Sequence, residues 1–469
     1  QGKRCAAHQG ATRDLEENPH ECPFSDCRLN VGWLSPIEPS FILSIDQLHN
    51  TDNPMLNLNT PGARGDQTLV HNMTLLAHHE LNGFGGMGEG MSLQKTSDGR
   101  RILWMAHESA PKNFTGVDVT DPKNPKMVVQ TELPHAKMRS NSLDVVGNIM
   151  AVAYQTQTVG LKPAGVDLFD VSKPEEPRLI SHFDCSGPYS RGVHAVWFVD
   201  GHYLHMSSGS ADFQPRNPLD DQFYRILDVS NPSKPVEVGR WWYPGTREGD
   251  AAPAPERLIQ KFDTGFRAHN TNVFPDRPDR AYVGYIDGGA FVLDISDKSQ
   301  IKVVSHWNHS PPFNGFIHTL LPLFDRNLWI VSDECVQDNG ADWPKLVWVI
   351  DSRNEKNPVP IGTFPAPPYD AFAKRGGRFG AHNLHENLPI PTSFCSDTLI
   401  IGSFFNAGVR VYDTTDPYQV QELAYFVPGT PKLSPAGAIQ LNDVFVDERR
   451  IVYTMDRFTG GLYILEMNV

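Results

Sequence analysis

From Gly116 to Phe426 one hydropathic pattern recurs six times: an apolar run ending in aspartate, a polar turn usually containing proline, and a second apolar run. Gly116–Leu133 reads GVDVTDPKNPKMVVQTEL, Tyr224–Trp241 reads YRILDVSNPSKPVEVGRW and Val347–Phe364 reads VWVIDSRNEKNPVPIGTF; Gly165–Phe183, Phe291–Trp307 and Val409–Phe426 follow the same scheme. Short apolar runs bounded by turn residues predict strands. Proline next to Asp or Asn sets the turn, because it fixes φ and cannot donate to a ladder. The aspartates (118 or 121, 170, 228, 294, 351, 413) fall about 45–65 residues apart. Two further strands precede each hairpin, as at His269–Phe274 with Ala281–Tyr285, His318–Pro322 with Leu328–Val331, and His382–Glu386 with Thr398–Gly402. Four strands per repeat at this period predict a β-propeller. The seventh repeat (Ala438, Ile451–Thr454, Gly461–Met467) has three strands before Val469. Thr68–Leu81 is similar to the outer strands Lys126–Leu133 and Arg178–Phe183 and is expected to supply the fourth. The expectation is an all-β, seven-bladed β-propeller over 68–469 with a 3+1 strand closure, which removes free sheet edges. A Cys-containing N-terminal extension, 1–67, is expected to pack on the ring.

The motif V-x-V/L-x-D followed by a proline-containing turn resembles the repeat of the LVIVD-repeat β-propeller proteins, over about 70–469. That resemblance implies the fold and says little about activity, since propellers host many functions.

The 38 glycines and 38 prolines suit a ring with many turns. A net charge of −14 argues against general nucleic-acid binding. No apolar stretch approaches the length of a membrane span. The chain begins at Gln1 without a signal-like apolar region, so a removed signal peptide and a secreted or periplasmic location are expected. An even number of cysteines (Cys5, Cys22, Cys27, Cys185, Cys335, Cys395) suits an oxidising compartment, with the pairing left open. A zinc knot from Cys5, Cys22, Cys27 and His20 is the rival reading, weakened by the lack of a fourth thiol at ligand spacing. Asn72, Asn113 and Asn308 sit in N-glycosylation sequons.

The candidate chemistry lies where the repeats open. His194, His269, His318 and His382 occupy one equivalent position in four successive repeats, and in a ring the first strand of each blade lines the channel. The seven positions in register are Glu89, Asn141, His194, His269, His318, His382 and Gln440. A single such histidine would ordinarily do no more than bond a neighbouring blade's backbone, and a polar channel can simply hold water. Four on adjacent blades predict one transition-metal site, Fe or Cu favoured and Zn or Mn possible. Glu89, Asn141 and Gln440 are expected to support the ligands without binding the metal, Glu89 by accepting a ligand N–H. His385 is placed in the pocket wall. The arrangement is similar, by analogy of site alone, to that of the carotenoid cleavage oxygenases, propellers with an iron held by four histidines.

The loops 134–139, 184–192, 242–267, 308–316, 364–380 and 427–437 are expected to share a rim with the histidines. Arg191, Arg267, Tyr369, Phe372, Arg378 and Arg457 are its candidate substrate contacts, suiting an aromatic or carboxylate-bearing small molecule; for any one of them, ordinary loop chemistry is the blander alternative. Among carboxylates near that face (Glu108, Asp287, Asp333, Glu334, Asp456), Glu108 and Asp456 look best placed as catalytic bases, with His385, His107 and His135 as further candidates. His78 and His79 read as structural, and Gly83–Gly90 as a flexible link into the first blade. No hydrolase elbow, HExxH, P-loop or dinucleotide fingerprint is present. Three functions remain: an O2-dependent oxidoreductase, a lyase or hydrolase using the ion as Lewis acid, and a non-catalytic extracellular binding propeller.

Overall fold

A computed structural model describes residues 67–83, 86–258 and 260–469. Seven antiparallel sheets succeed one another along the chain as propeller blades. Blade 1 comprises Met87–Lys95, Arg101–His107, Lys112–Asp118 and Lys126–Glu132. Blade 2 runs from Met138–Arg139 and Leu143–Val146 through Ile149–Thr156 and Gly165–Asp170 to Arg178–Asp184. Blades 3, 4 and 5 begin at Val193–Trp197, Thr271–Asn272 and Ile317–Leu323 and end at Val236–Trp241, Lys302–Trp307 and Val359–Thr363.

The closure has the expected form. Met73–His79 pairs with Leu462–Met467 as the outer strand of blade 7, beside three C-terminal strands. Leu69–His71 goes further and adds an outer strand to blade 6, on Gln421–Val427. The start of the described chain is thus stitched to two blades. His78 behaves structurally, stacking on Tyr463 at 4.3 Å.

The repeated aspartates are turn devices. Asp118, Asp170, Asp228, Asp294, Asp351 and Asp413 each accept the backbone N–H two residues on, at 2.7–3.0 Å. This Asx turn ends the third strand before the proline-containing loop. Asp118 is therefore the residue in register; Asp121 builds a second turn by accepting from Lys123 N–H. The third and fourth strands then pair across a β-bulge in every blade, which sharpens the twist. Second strands such as Arg101–His107, Leu328–Asp333 and Ile451–Asp456 are buried throughout because sheets cover both faces. Hence they read as apolar runs, not alternations.

Among the described residues Cys185, Cys335 and Cys395 are free thiols. Residues 1–66, with Cys5, Cys22, Cys27 and His20, lie outside the described residues, and so do the packing of the extension and the zinc-knot alternative. Asn113 is unsuited to a glycan: it is buried and donates to Tyr154 Oη at 2.9 Å. No helix of the described residues is long and apolar enough to cross a membrane.

Candidate metal centre

In four blades the residue aimed at the axis sits on an irregularity of the inner ladder. Register shifts between Val193 and Ala195, Ile317 and Thr319, Leu441 and Asp443, and Met87 and Met91 isolate His194, His318, Asn442 and Glu89. The extra residue in such a bulge re-aims its side chain. His269 and His382 lie just outside regular strands, tied to the second strands by His269 N–H to Gly284 O (2.7 Å) and His382 N–H to Ser403 O (3.1 Å). The expected opening strands at 269–274 and 382–386 are accordingly much shorter or absent as ladders. Gly88 and Gly90 flank Glu89 because the chain presses on blade 2: a Cβ at either would stand 2.4 Å from Asn141 O or 2.3 Å from Leu143 N. These glycines are close-approach positions within a strand, not part of a flexible link.

The four imidazoles converge. Nε2 of His194 stands 2.9 Å from Nε2 of His269, and the ring centroids of His269–His318 and His318–His382 are 4.0 and 4.8 Å apart. Glu89 does not stand behind them as a supporting residue; its carboxylate enters the cluster. Its Oε2 lies 3.6, 3.7 and 3.7 Å from Nε2 of His194, His269 and His318, and its Oε1 lies 3.7 Å from that of His382. Glu334 joins from the end of a second strand, 3.8 Å from His269 and 3.6 Å from His382. The cluster thus brings two carboxylates to the four imidazoles, where the sequence pointed to imidazoles alone. Glu89 with His269 and His318, and Glu334 with His318 and His382, form two overlapping sets whose ligand atoms all lie within 4.8 Å of one another.

The outer ring nitrogens have their own partners. Nδ1 of His269 faces Asn270 Oδ1 (2.8 Å), that of His318 faces Thr319 Oγ1 (2.7 Å) and that of His382 faces the Asn442 carbonyl (2.6 Å). The carbonyl oxygens beside His269 and His382 accept their Nδ1 protons and leave those Nε2 lone pairs directed inward, while the Thr319 hydroxyl can serve His318 as donor or acceptor. His194 Nδ1 meets both an acceptor, Gln155 Oε1, and a donor, Arg139 Nη2, each at 3.1 Å. Inside the cluster, Glu89 Oε2, His318 Nε2 and His382 Nε2 are buried without a hydrogen-bond partner among the described residues. Burial, reinforced by His269, pushes His194 well below the usual imidazole range. Burial, with His318 adding to it, brings His269 down to about 4, and burial lowers His318 as well. Burial opposes the charge on Glu89, but the surrounding imidazoles outweigh it and hold its carboxyl well below the usual range.

A cavity of about 270 Å³ opens over the cluster. Five of the expected rim loops each contribute to it: Arg139, Arg191, Thr264 with Arg267, Phe316, and Arg378. Arg457, Gln155 and Gln222 complete the polar wall, and Ile286, Phe316 and Val336 the apolar one. Ile286 (φ 41°) and Phe316 (φ 68°) hold left-handed backbone that bulky residues avoid, a strain concentrated where the cavity meets the histidines. A larger cavity of about 510 Å³ lies under the 242–267 loop and contains none of the converging histidines.

Several expected site residues stand elsewhere. Asp456 is consumed as a loop anchor, accepting backbone N–H groups from Gln440, Phe458, Thr459 and Gly460. His385 bonds Phe394 O at 2.6 Å and Val446 N–H at 3.2 Å, so it joins blades 6 and 7 and does not line the cavity over the histidines. His107 is buried against Thr115 Oγ1, and His135 accepts from Lys137 N–H. Glu108 pairs through Oε1 with Arg139 and Arg457 (2.6 Å to the latter), while its Oε2 is buried without a partner among the described residues. Tyr369 and Phe372 pack with Phe379 away from the cavity. Gln440 is two residues out of register; Asn442 takes the ring position, and Gln440 secures the 376–378 loop through Arg378 N–H. Asn141 does face the channel, donating to the His194 carbonyl at 3.3 Å.

Arg139 was missed although its signal is in the chain: it lies two residues before Asn141, as Arg267 lies two before His269 and Phe316 two before His318. In extended chain such pairs share a face.

The LVIVD repeat family matches residues 222–242 and 279–308, within blades 3 and 4. No curated protein matches the chain. Among solved structures it is similar to the β-propeller domain of Myceliophteria thermophila Cps50 (Swd1), at 14% identity and a TM-score of 0.47, over 80% of this chain and 96% of that one.

Proposed function

We propose that this propeller is a metal-dependent enzyme, with one transition-metal ion held on its axis by His194, His269, His318 and His382 together with Glu89 and Glu334. One observation carries the reading: Nε2 of His318 and His382 and Oε2 of Glu89 are buried in one cluster with no partner among the described residues, while Nδ1 of His269 and of His382 faces a carbonyl oxygen that can only accept. Buried polar groups are ordinarily paired, so an orphaned convergent set marks a missing partner. Atoms each about 2.0–2.2 Å from a common ion stand about 3–4.4 Å from one another, depending on angle. The observed 2.9–3.8 Å separations match that span. Four imidazoles exclude calcium and magnesium as natural occupants, and two carboxylates shift preference from copper toward iron, with manganese and zinc as alternatives.

The bound ion would supply redox chemistry with O2 as electron acceptor. The chain's own residues confine a small substrate in the 270 Å³ cavity, order it against the arginines and exclude bulk water. A Lewis-acid lyase or hydrolase is the second reading, favoured by the same carboxylates if the ion is zinc.

Elemental analysis of the purified protein tests the site. One ion per chain is expected, falling below a tenth in His318→Ala and His269→Ala with the β-sheet circular dichroism retained. Wild-type protein that takes up none of Fe(II), Mn(II), Cu(II) or Zn(II) on reconstitution sinks the proposal. A coloured, O2-responsive iron form supports the oxidoreductase reading; a stoichiometric zinc form supports the second.

A further inference from the structure

Five guanidiniums surround the cavity above the histidines: Arg139, Arg191, Arg267, Arg378 and Arg457. Several of them share one acid between two. Asp221 serves both Arg191 (2.5 Å) and Arg267 (3.3 Å). Glu108 serves both Arg139 and Arg457. Glu334 pairs with Arg378 at 2.7 Å while also facing the imidazoles. With Glu89 on the floor and Asp287, whose charge also acts on Arg267, counted, five cations face five carboxylates, and a divalent ion would leave the cavity positive. Arg267 is the least compensated: it makes a single 3.3 Å hydrogen bond, and its Nε is buried without a partner. A charge taken out of water and left short of partners is costly unless something completes it. This concentration of positive charge sits in a chain whose net charge is −14, so it is local and not a general property of the surface.

We infer that the cavity takes a small organic molecule bearing an oxyanion, a carboxylate, sulfonate or phosphonate, gripped by Arg191, Arg267 and their neighbours while its apolar part lies against Ile286, Phe316 and Val336. The guanidinium fork matches an oxyanion bidentately, which explains arginine here where lysine would supply charge alone. The 270 Å³ volume, about nine waters at about 30 Å³ each, limits the molecule to a small metabolite-sized anion. A basic cleft with low-dielectric walls also draws such anions in.

The inference names the substrate class of the proposed enzyme and rests on that reading for its catalytic meaning, though anion binding can be measured apart from the metal. Malonate, methylphosphonate and the uncharged analogue malonamide are titrated by calorimetry into full-length protein, metal-loaded and metal-free. At least one of the two anions is expected to bind, more weakly as NaCl rises, and malonamide not at all; the better anion reveals whether a planar or a tetrahedral head group is preferred. Arg267→Gln and Arg191→Gln should each weaken binding tenfold or more; each leaves Asp221 one arginine, so at least one variant keeps the fold. His318→Ala should lose metal yet keep salt-sensitive, Arg267-dependent anion binding, so failure of the metal site and failure of the arginine crown give different results. Anion binding equalled by malonamide, unchanged in both arginine variants, or undetectable overturns the inference.

Discussion

Replacing Glu89 by glutamine separates a metal ligand from a structural polar residue, because loss of a ligand costs more stability with the ion than without it. In metal-free protein the carboxylate is buried, its Oε2 is unpartnered, and its neighbours are imidazole nitrogens 3.6–3.7 Å away, beyond hydrogen-bond reach. Because the surrounding imidazoles hold the Glu89 carboxyl well below its usual range, the folded metal-free protein favours the charged form, and Glu89→Gln should destabilise it at neutral pH. With the ion bound, the lost negative charge weakens the site. If affinity falls a hundredfold, an ion concentration of 100 times the wild-type Kd stabilises wild type by about 2.7 kcal/mol and the variant by only about 0.4 kcal/mol. At about 2 °C per kcal/mol for a large chain, the metal-induced rise in Tm should shrink by about 5 °C. Thermal melts of both proteins, with and without the ion, read this directly. Equal destabilisation of the variant in both states would refute a ligand role and leave Glu89 a packing residue.

Gly284→Ala should lower the denaturant midpoint and reduce metal occupancy together, since its Cβ would stand 1.9 Å from the His318 carbonyl and something must shift. Asp228→Ala should cost about 1 kcal/mol in chemical denaturation by removing the Asx turn of blade 3, with metal content unchanged. Glu386, in the channel on the far side of the histidines, is raised by burial to about 7 from 4.5, with Asn272 and Asn270 opposing the rise. The folded chain thus holds this proton more tightly than the unfolded chain. Its contribution is complete below about pH 4.5 and lost as pH rises through about 7, a fall of about 3 kcal/mol. Glu386→Gln should flatten that part of the stability–pH curve, measured as denaturant midpoints from pH 4.5 to 8.

Much of the ring was legible in the linear chain because its determinants are local. A strand that ends in Asp before a proline-containing turn forms an Asx turn wherever it occurs, so six hairpins announce themselves, and a seventh repeat one strand short implies a partner from the other terminus. The shared position of His194, His269, His318 and His382 is likewise a property of the repeat, and the ring brings their Nε2 atoms to one place. Other features depended on contacts between distant segments. Inner-strand bulges decide which side chain faces the axis: the irregularity between Leu441 and Asp443 turns Asn442 into the place that strict register assigns to Gln440. Glu334, Arg139 and Arg457 are polar loop or strand-end residues of a kind found throughout the chain; only the angular packing of blades sets them over one cavity. The same packing takes Asp456 and His385 out of candidate chemistry by satisfying their polar atoms with neighbouring backbone. Local hydrogen bonding and periodicity write strands and turns into sequence, whereas a site assembled across blades depends on side-chain directions that no short segment encodes.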